Sequence, residues 1–125
     1  TTVPVQAPAA PPLHTEVRLE PATLYWDPAG GMQKVAVHNN SDKRKAIKVK
    51  CSDNLLYRVN PVYAFVEAGG AVRVDVLRQN GAPKVDKLVV VSCEAQPTHK
   101  DPKAACAESL NYEMMVLPLV AAGAE

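Results

Sequence analysis

Short runs in which apolar and polar residues alternate, each ended by turn residues, constrain this chain most. Residues 16–20 and 71–77 are such runs, with Pro21 after the first and Gly69-Gly70 before the second. When the pattern repeats every two residues, successive side chains point to opposite faces of a β-strand. The pattern predicts about seven short strands separated by turns roughly every 8–12 residues, which is typical of an antiparallel β-sandwich. The predicted fold class is therefore all-β.

The first 14 residues differ from the rest of the chain. They contain four prolines, three alanines and no formal charge. Proline removes backbone donors and the segment shows no periodicity, so residues 1–14 are predicted to be an extended, mobile arm. An arm that docks onto a partner is the alternative. Residues 15–125 are predicted to form one domain, since a chain of 125 residues can bury its own core.

Composition and charge argue against several classes of function. The net charge is +1 and the pI is near 7.7, which gives no general reason to expect nucleic acid. No apolar run approaches the roughly 20 residues that span a bilayer, and no secretory signal is expected. An odd count of three cysteines argues against a disulfide framework and predicts a reducing, cytoplasmic setting, with one disulfide as the alternative.

No catalytic or metal-binding pattern is found. His14, His38 and His99 have no nucleophile motif beside them, and no phosphate-binding loop occurs. Cys93, His99 and Cys106 follow a C-x5-H-x6-C spacing, which is not that of a zinc finger, so idle thiols are favoured over a metal site. The prediction is a protein that is not an enzyme and holds no cofactor and no metal.

A basic stretch stands out on this near-neutral chain. Residues 41–60 carry six basic and two acidic side chains. Alternation places Lys48 and Lys50 on one face of a strand, and Ile47, Val49 and Cys51 on the other. With Arg44 and Lys87, the two lysines form a candidate site for carboxylates or phosphates. The alternative is a solvated face that discourages edge pairing.

Two continuous apolar runs, Leu88–Val91 and Met114–Leu119, are either core strands or surfaces for self-association. Core is favoured for the first run. In the second, Pro118 lacks a backbone donor and raises the odds of an edge strand. Met114, Met115 and Leu117 are the candidate self-association residues.

Several short segments follow one another in a recognisable order: Val17–Pro21, Val37–Ser41, Ala46–Ser52, Tyr57–Pro61, Gly69–Val76 and Asp86–Ser92. Together, in this order, they resemble the major sperm protein (MSP) domain. The resemblance implies an immunoglobulin-like sandwich of seven strands. The short single-domain form looks most like the small nematode sperm-specific members, which are cytoplasmic, non-enzymatic components or regulators of the sperm cytoskeleton. The implied partners are MSP filaments or a second copy of the chain, without nucleic acid or membrane insertion.

The resemblance also implies a binding module for acidic, phenylalanine-containing peptides. Membrane-contact members of the family hold such a peptide with the strands that match residues 47–52 and 87–89. Lys48, Lys50 and Lys87 match that pattern. This chain departs from it in having Cys51 and Ser52 in place of a threonine pair, and Val89 in place of methionine.

Overall fold

The computed structural model describes residues 16–122, and the arm predicted at residues 1–14 lies outside them. The described residues form nine strands and one short helix. They are β1 (Val17–Glu20), β2 (Leu24–Trp26), β3 (Gly31–Asn39), β4 (Lys45–Cys51), β5 (Tyr57–Asn60), β6 (Tyr63–Val66), β7 (Ala71–Arg78), β8 (Lys84–Glu94), α1 (Pro102–Glu108) and β9 (Tyr112–Ala121). The predicted β-sandwich is confirmed.

The strands form two sheets that face each other across one core. The four-stranded sheet has the order β1-β3-β7-β5, and the five-stranded sheet has the order β2-β9-β8-β4-β6. Neighbouring strands are antiparallel, except that β2 runs parallel to β9. Every second side chain of the long strands points into the core, where Trp26 meets Tyr57 edge-on with ring centroids 5.1 Å apart.

The count of nine strands, rather than seven, follows from two prolines. Pro21 lies between β1 and β2, and Pro61 lies between β5 and β6; both prolines follow cis peptide bonds. Because proline has no N–H for a sheet ladder, each of these runs is interrupted. In both cases the two pieces then pair in different sheets, so the chain crosses from one sheet to the other at the proline.

The helix α1 covers part of the five-stranded sheet. The sequence predicts one or two helical turns over Lys103–Ser109, and the structure confirms a helix over Pro102–Glu108. Asp101 caps it, since its carboxylate accepts a hydrogen bond from the Lys103 N–H at 3.0 Å. Ala105 is buried in a small cluster with Ala46 and Cys93 of the sheet. Within residues 16–122, no helix has the length and apolarity to cross a membrane.

Candidate protein-interaction surface

Strand register brings part of the predicted basic site and Met114 of the predicted self-association site together on one face of the five-stranded sheet. Lys48 of β4 pairs with Val91 of β8, and Val91 pairs with Met114 of β9. Two residues further along the strands, Lys50 pairs with Val89, and Val89 pairs with Val116. Residues that pair across strands project to the same side of a sheet. We call this side, which points away from the core, the outer face.

The outer face carries an exposed apolar strip, which we define as Val89, Val91, Met114 and Val116. The side chains of Met114 and Val116 are 59% and 57% exposed, and the two valines of β8 are half-buried. These side chains lie side by side on the adjacent strands β8 and β9. A contiguous apolar patch on a folded domain marks a contact surface more often than scattered apolar residues do.

Lysines border the apolar strip, and we name Lys48, Lys50, Lys87 and Lys103 the basic rim. Within residues 16–122, none of these four ammonium groups has a carboxylate within 4.0 Å. The Nζ atoms of Lys48 and Lys103 lie 5.7 and 5.9 Å from the centre of the Tyr63 ring. The rim therefore presents positive charge that remains available to an acidic partner.

A shallow groove of about 440 Å³ lies at the Lys87 end of the outer face. Its walls are Ser52, Val85, Asp86, Lys87, Val116 and Pro118. The hydroxyl of Ser52 donates to Asp86 Oδ1 at 2.8 Å and accepts from the Lys87 N–H at 3.0 Å. Ser52 therefore fixes the end of β4 against β8 and shapes one wall of the groove.

A sequence profile of the family described as "MSP (Major sperm protein) domain" matches residues 16–113. The chain belongs to this family. Sperm-specific class P protein 34 of Caenorhabditis elegans is 36% identical over 106 residues, which cover 85% of this chain and 99% of that protein. The resemblance seen in the sequence is thereby confirmed. Domains of this family are structural and protein-interacting.

Two solved structures are similar to this MSP domain. WR4, a C. elegans MSP family member, superposes with a TM-score of 0.84 at 36% identity, covering 87% of this chain and 100% of that one. SSP-19, an MSP-domain protein like family member of the same nematode, superposes with a TM-score of 0.81 at 31% identity. The match covers 83% of this chain and 97% of that one. The immunoglobulin-like fold implied by the resemblance is confirmed.

Arg44, predicted as part of the basic site, has a different position in this MSP domain. Its Nη1 donates to the carbonyl oxygens of Gln96 at 2.9 Å and His99 at 2.8 Å, and its Nε pairs with Glu67 at 3.0 Å. The guanidinium carbon also lies 3.6 Å from the centre of the Phe65 ring. Arg44 therefore holds the loop that leads to α1 and does not contribute a free charge to the outer face.

Three other predicted site residues point into the sandwich. Leu117 is fully buried, and Met115 is half-buried against the core, so neither belongs to the exposed apolar strip. Cys51 also packs against the core, on the side of β4 away from Lys48 and Lys50, and burial raises the pKa of its thiol. Met115 and Leu117 therefore lie outside the exposed surface that includes Met114, because successive strand residues face opposite sides, and Cys51 lies on the inward side that the alternation of β4 predicts.

Val116, Val85, Pro118 and Lys103 belong to the surface but were not among the predicted site residues. Val116 and Pro118 lie two and four residues from Met114 and so share its side of β9, but the apolar run gave no signal of which side faces outward. No local signal identifies Lys103. It reaches the basic rim only because α1 packs on the five-stranded sheet.

The cysteines and His99 do not form a metal site. The Nδ1 atom of His99 accepts from the Gln96 N–H at 2.9 Å, and its Nε2 lies 3.0 Å from Glu108 Oε1, so both ring nitrogens are occupied. In the described part of the chain, no three His, Cys, Asp or Glu side chains are placed to hold a metal ion. Burial, reinforced by the neighbouring thiol of Cys93, raises the pKa of Cys106 to about 12.

We expect Cys106 to resist alkylation in the folded protein. The thiolate is the nucleophile, and at pH 8 a thiol whose pKa is near 12 is almost entirely neutral. Treatment with iodoacetamide at pH 8, followed by mass spectrometry, should leave Cys106 unmodified in the native chain and modify all three cysteines in urea. Modification of native Cys106 at the rate seen in urea would contradict the raised pKa of this thiol.

Proposed function

We propose that this MSP domain is a non-enzymatic component or regulator of the nematode sperm cytoskeleton that contacts other proteins through its outer face. The proposal rests on the apolar strip, two of whose residues are more than half exposed, and on the adjacent lysines, which have no carboxylate within 4.0 Å in residues 16–122. The sperm-specific names of relatives at 36% identity support the cellular setting. The proposed location is the sperm cytoplasm.

Self-association and binding to MSP filaments are both consistent with this surface. Burial of apolar side chains supplies most of the free energy of protein association, and exposed methionine adapts to the shape of a partner. Among residues 16–122, β9 has a strand neighbour on one side only over residues 112–118, because β2 pairs with it from Leu119 onward. A partner can therefore reach the apolar strip both from the face and from the open edge of β9.

Met114→Glu is expected to weaken association at least tenfold, because a charge is placed in the centre of the apolar strip and each factor of ten corresponds to about 1.4 kcal/mol. Met32→Glu is the matched control, since Met32 is 52% exposed on β3 of the other sheet. Sedimentation equilibrium would measure self-association, and co-sedimentation would measure binding to MSP filaments.

The two readouts together decide the proposal. Loss of either interaction in the Met114 variant but not in the Met32 variant supports the outer face as the contact surface. A strictly monomeric wild-type chain at millimolar concentration that also fails to co-sediment with filaments would refute the proposed function. Equal effects of the two variants would refute the choice of surface.

A second candidate function is binding of an acidic, phenylalanine-containing peptide. The specific observation in its favour is the groove, where Val85, Val116 and Pro118 offer an apolar floor for an aromatic ring beside the ammonium of Lys87. Lys48 and Lys50 would then meet the acidic residues of the peptide. Fluorescence anisotropy with a labelled peptide tests this, and a peptide with phenylalanine changed to alanine is the control. Equal binding of the two peptides would exclude the groove.

A further inference from the structure

A polar pocket of about 470 Å³ lies at one end of the sandwich, apart from the apolar strip. The strand β8 near its end, the start of β4, Glu16 just before β1, and the connection between α1 and β9 form its walls. The carboxylates of Glu16, Glu94, Glu108 and Glu113 line it. Neither the outer face nor the proposed function requires this pocket.

Two buried oxygen atoms in this pocket lack a hydrogen-bond partner among residues 16–122. One is the hydroxyl of Ser92, a residue only 1% exposed, and the other is Oε1 of Glu113. Ser92 and Glu113 are register partners on β8 and β9, so the two oxygens lie on neighbouring strands and on the same side of the sheet. Leaving a buried carboxylate oxygen unsatisfied is costly, and a ligand that donates hydrogen bonds would relieve that cost.

The side chains of Lys45 and His99, which line the pocket, are already engaged. The ammonium of Lys45 pairs with Glu16 Oε1, and His99 Nε2 pairs with Glu108 Oε1. The remaining oxygen of Glu113 accepts from the Glu16 N–H at 3.3 Å. The carboxylates therefore outnumber the positive groups, and the pocket needs both hydrogen-bond donors and positive charge from its occupant.

The side chains that line the pocket limit which chemical groups could bind in it. A metal ion is disfavoured because, within the described residues, the acidic side chains are not grouped closely enough to supply three ligands. A primary ammonium group carries three donors and one positive charge in a compact head, which suits two adjacent acceptors, one of them a carboxylate. We propose that this pocket binds a primary ammonium group, either from a lysine side chain of a partner or from a small aliphatic amine.

The proposal can be tested on the 125-residue chain by ¹H–¹⁵N correlation spectroscopy. The probes are n-butylammonium chloride and Nα-acetyl-lysine N-methylamide, with n-butanol as the uncharged control. We expect saturable shifts at Glu16, Ser92 and Glu113 with the charged probes and none with n-butanol. Binding of both charged probes would show that the ammonium alone suffices, and binding of the lysine derivative alone would identify a side chain of a partner as the source.

Glu113→Gln removes the charge while keeping the shape, and we expect it to weaken binding about tenfold or more, since hydrogen bonds to charged groups are the stronger ones. Asp27→Asn is the control, because Asp27 lies in the turn before Gly30 and outside the pocket, and asparagine can still accept from the Ala29 N–H. If the Glu113 variant shows a collapsed spectrum, Ser92→Ala serves instead, with an expected loss of about threefold or more.

Three results would overturn the proposal. They are the absence of saturable shifts at the pocket with either charged probe, equal shifts with n-butanol, and undiminished binding by a folded Glu113→Gln variant.

Discussion

Replacing Arg78 with methionine is expected to lower the free energy of unfolding by about 3–5 kcal/mol. Arg78 is 1% exposed and ends β7 at the rim of the core. Its guanidinium donates to the carbonyl oxygens of Pro28 at 2.7 Å and Ala82 at 2.6 Å, and to the Tyr57 hydroxyl at 3.2 Å. Arg78 thus joins two turns and a core tyrosine at one end of the sandwich.

The size of the effect follows from what remains after the substitution. Methionine is close to the aliphatic part of arginine in volume but has no donor, so the partner oxygens lose their hydrogen bonds. A buried acceptor without a partner costs about 1–3 kcal/mol, and partial entry of water limits the total. Tyr57 also loses the cation that lies 5.8 Å from its ring centre.

Urea unfolding would measure the change in stability. Arg73→Met on the same strand is the control, because Arg73 is exposed, and its expected effect is within about 0.5 kcal/mol. A midpoint for the Arg78 variant equal to that of the Arg73 variant would show that the buried guanidinium contributes nothing to folding.

Reversing Lys48 and Lys50 to glutamate is expected to weaken binding of an acidic, phenylalanine-containing peptide about a hundredfold. Each reversal replaces an attraction with a repulsion, and the two side chains lie on one face of β4. Lys48 and Lys50 have no carboxylate partner within residues 16–122. The reversal should therefore change the binding surface without breaking an ion pair of the described fold.

The double variant Lys34→Glu and Arg73→Glu makes the same change of charge on the four-stranded sheet, where both residues are exposed. Anisotropy titration of the three proteins separates a local effect from that of total charge. Peptide binding that is unchanged by the Lys48 and Lys50 reversal would refute this site. Equal losses in both double variants would mean that only the net charge matters.

Local pattern predicted the orientation of side chains within a strand. The alternation in residues 46–51 placed Ile47 and Val49 in the core and Lys48 and Lys50 outside it, as the structure confirms. The same rule applied to β7 would have placed Arg78 on the side of Val74 and Val76, where it is buried. Period-two patterning is reliable here because every strand has one side against the core.

The period-two rule does not apply to continuous apolar runs. In β9, Met114 and Leu117 look equivalent as sequence, yet Met114 is exposed and Leu117 is in the core. A run without polar residues shows no alternation, so its pairing with neighbouring strands determines which of its two sides faces the core. Arg44 shows a related failure, since the carbonyl groups that it binds lie about fifty residues further along the chain.

The sequence alone determined the β-sandwich, the MSP family and the two faces of the basic strand, because these depend on local periodicity and on segments in a recognisable order. The tertiary structure alone decided which residues form a surface. Met114 and Val116 lie beside the basic strand only through the register of β8 with β4 and β9, and Lys103 joins them only through the packing of α1. Such neighbours depend on contacts between distant segments, which local propensity does not encode.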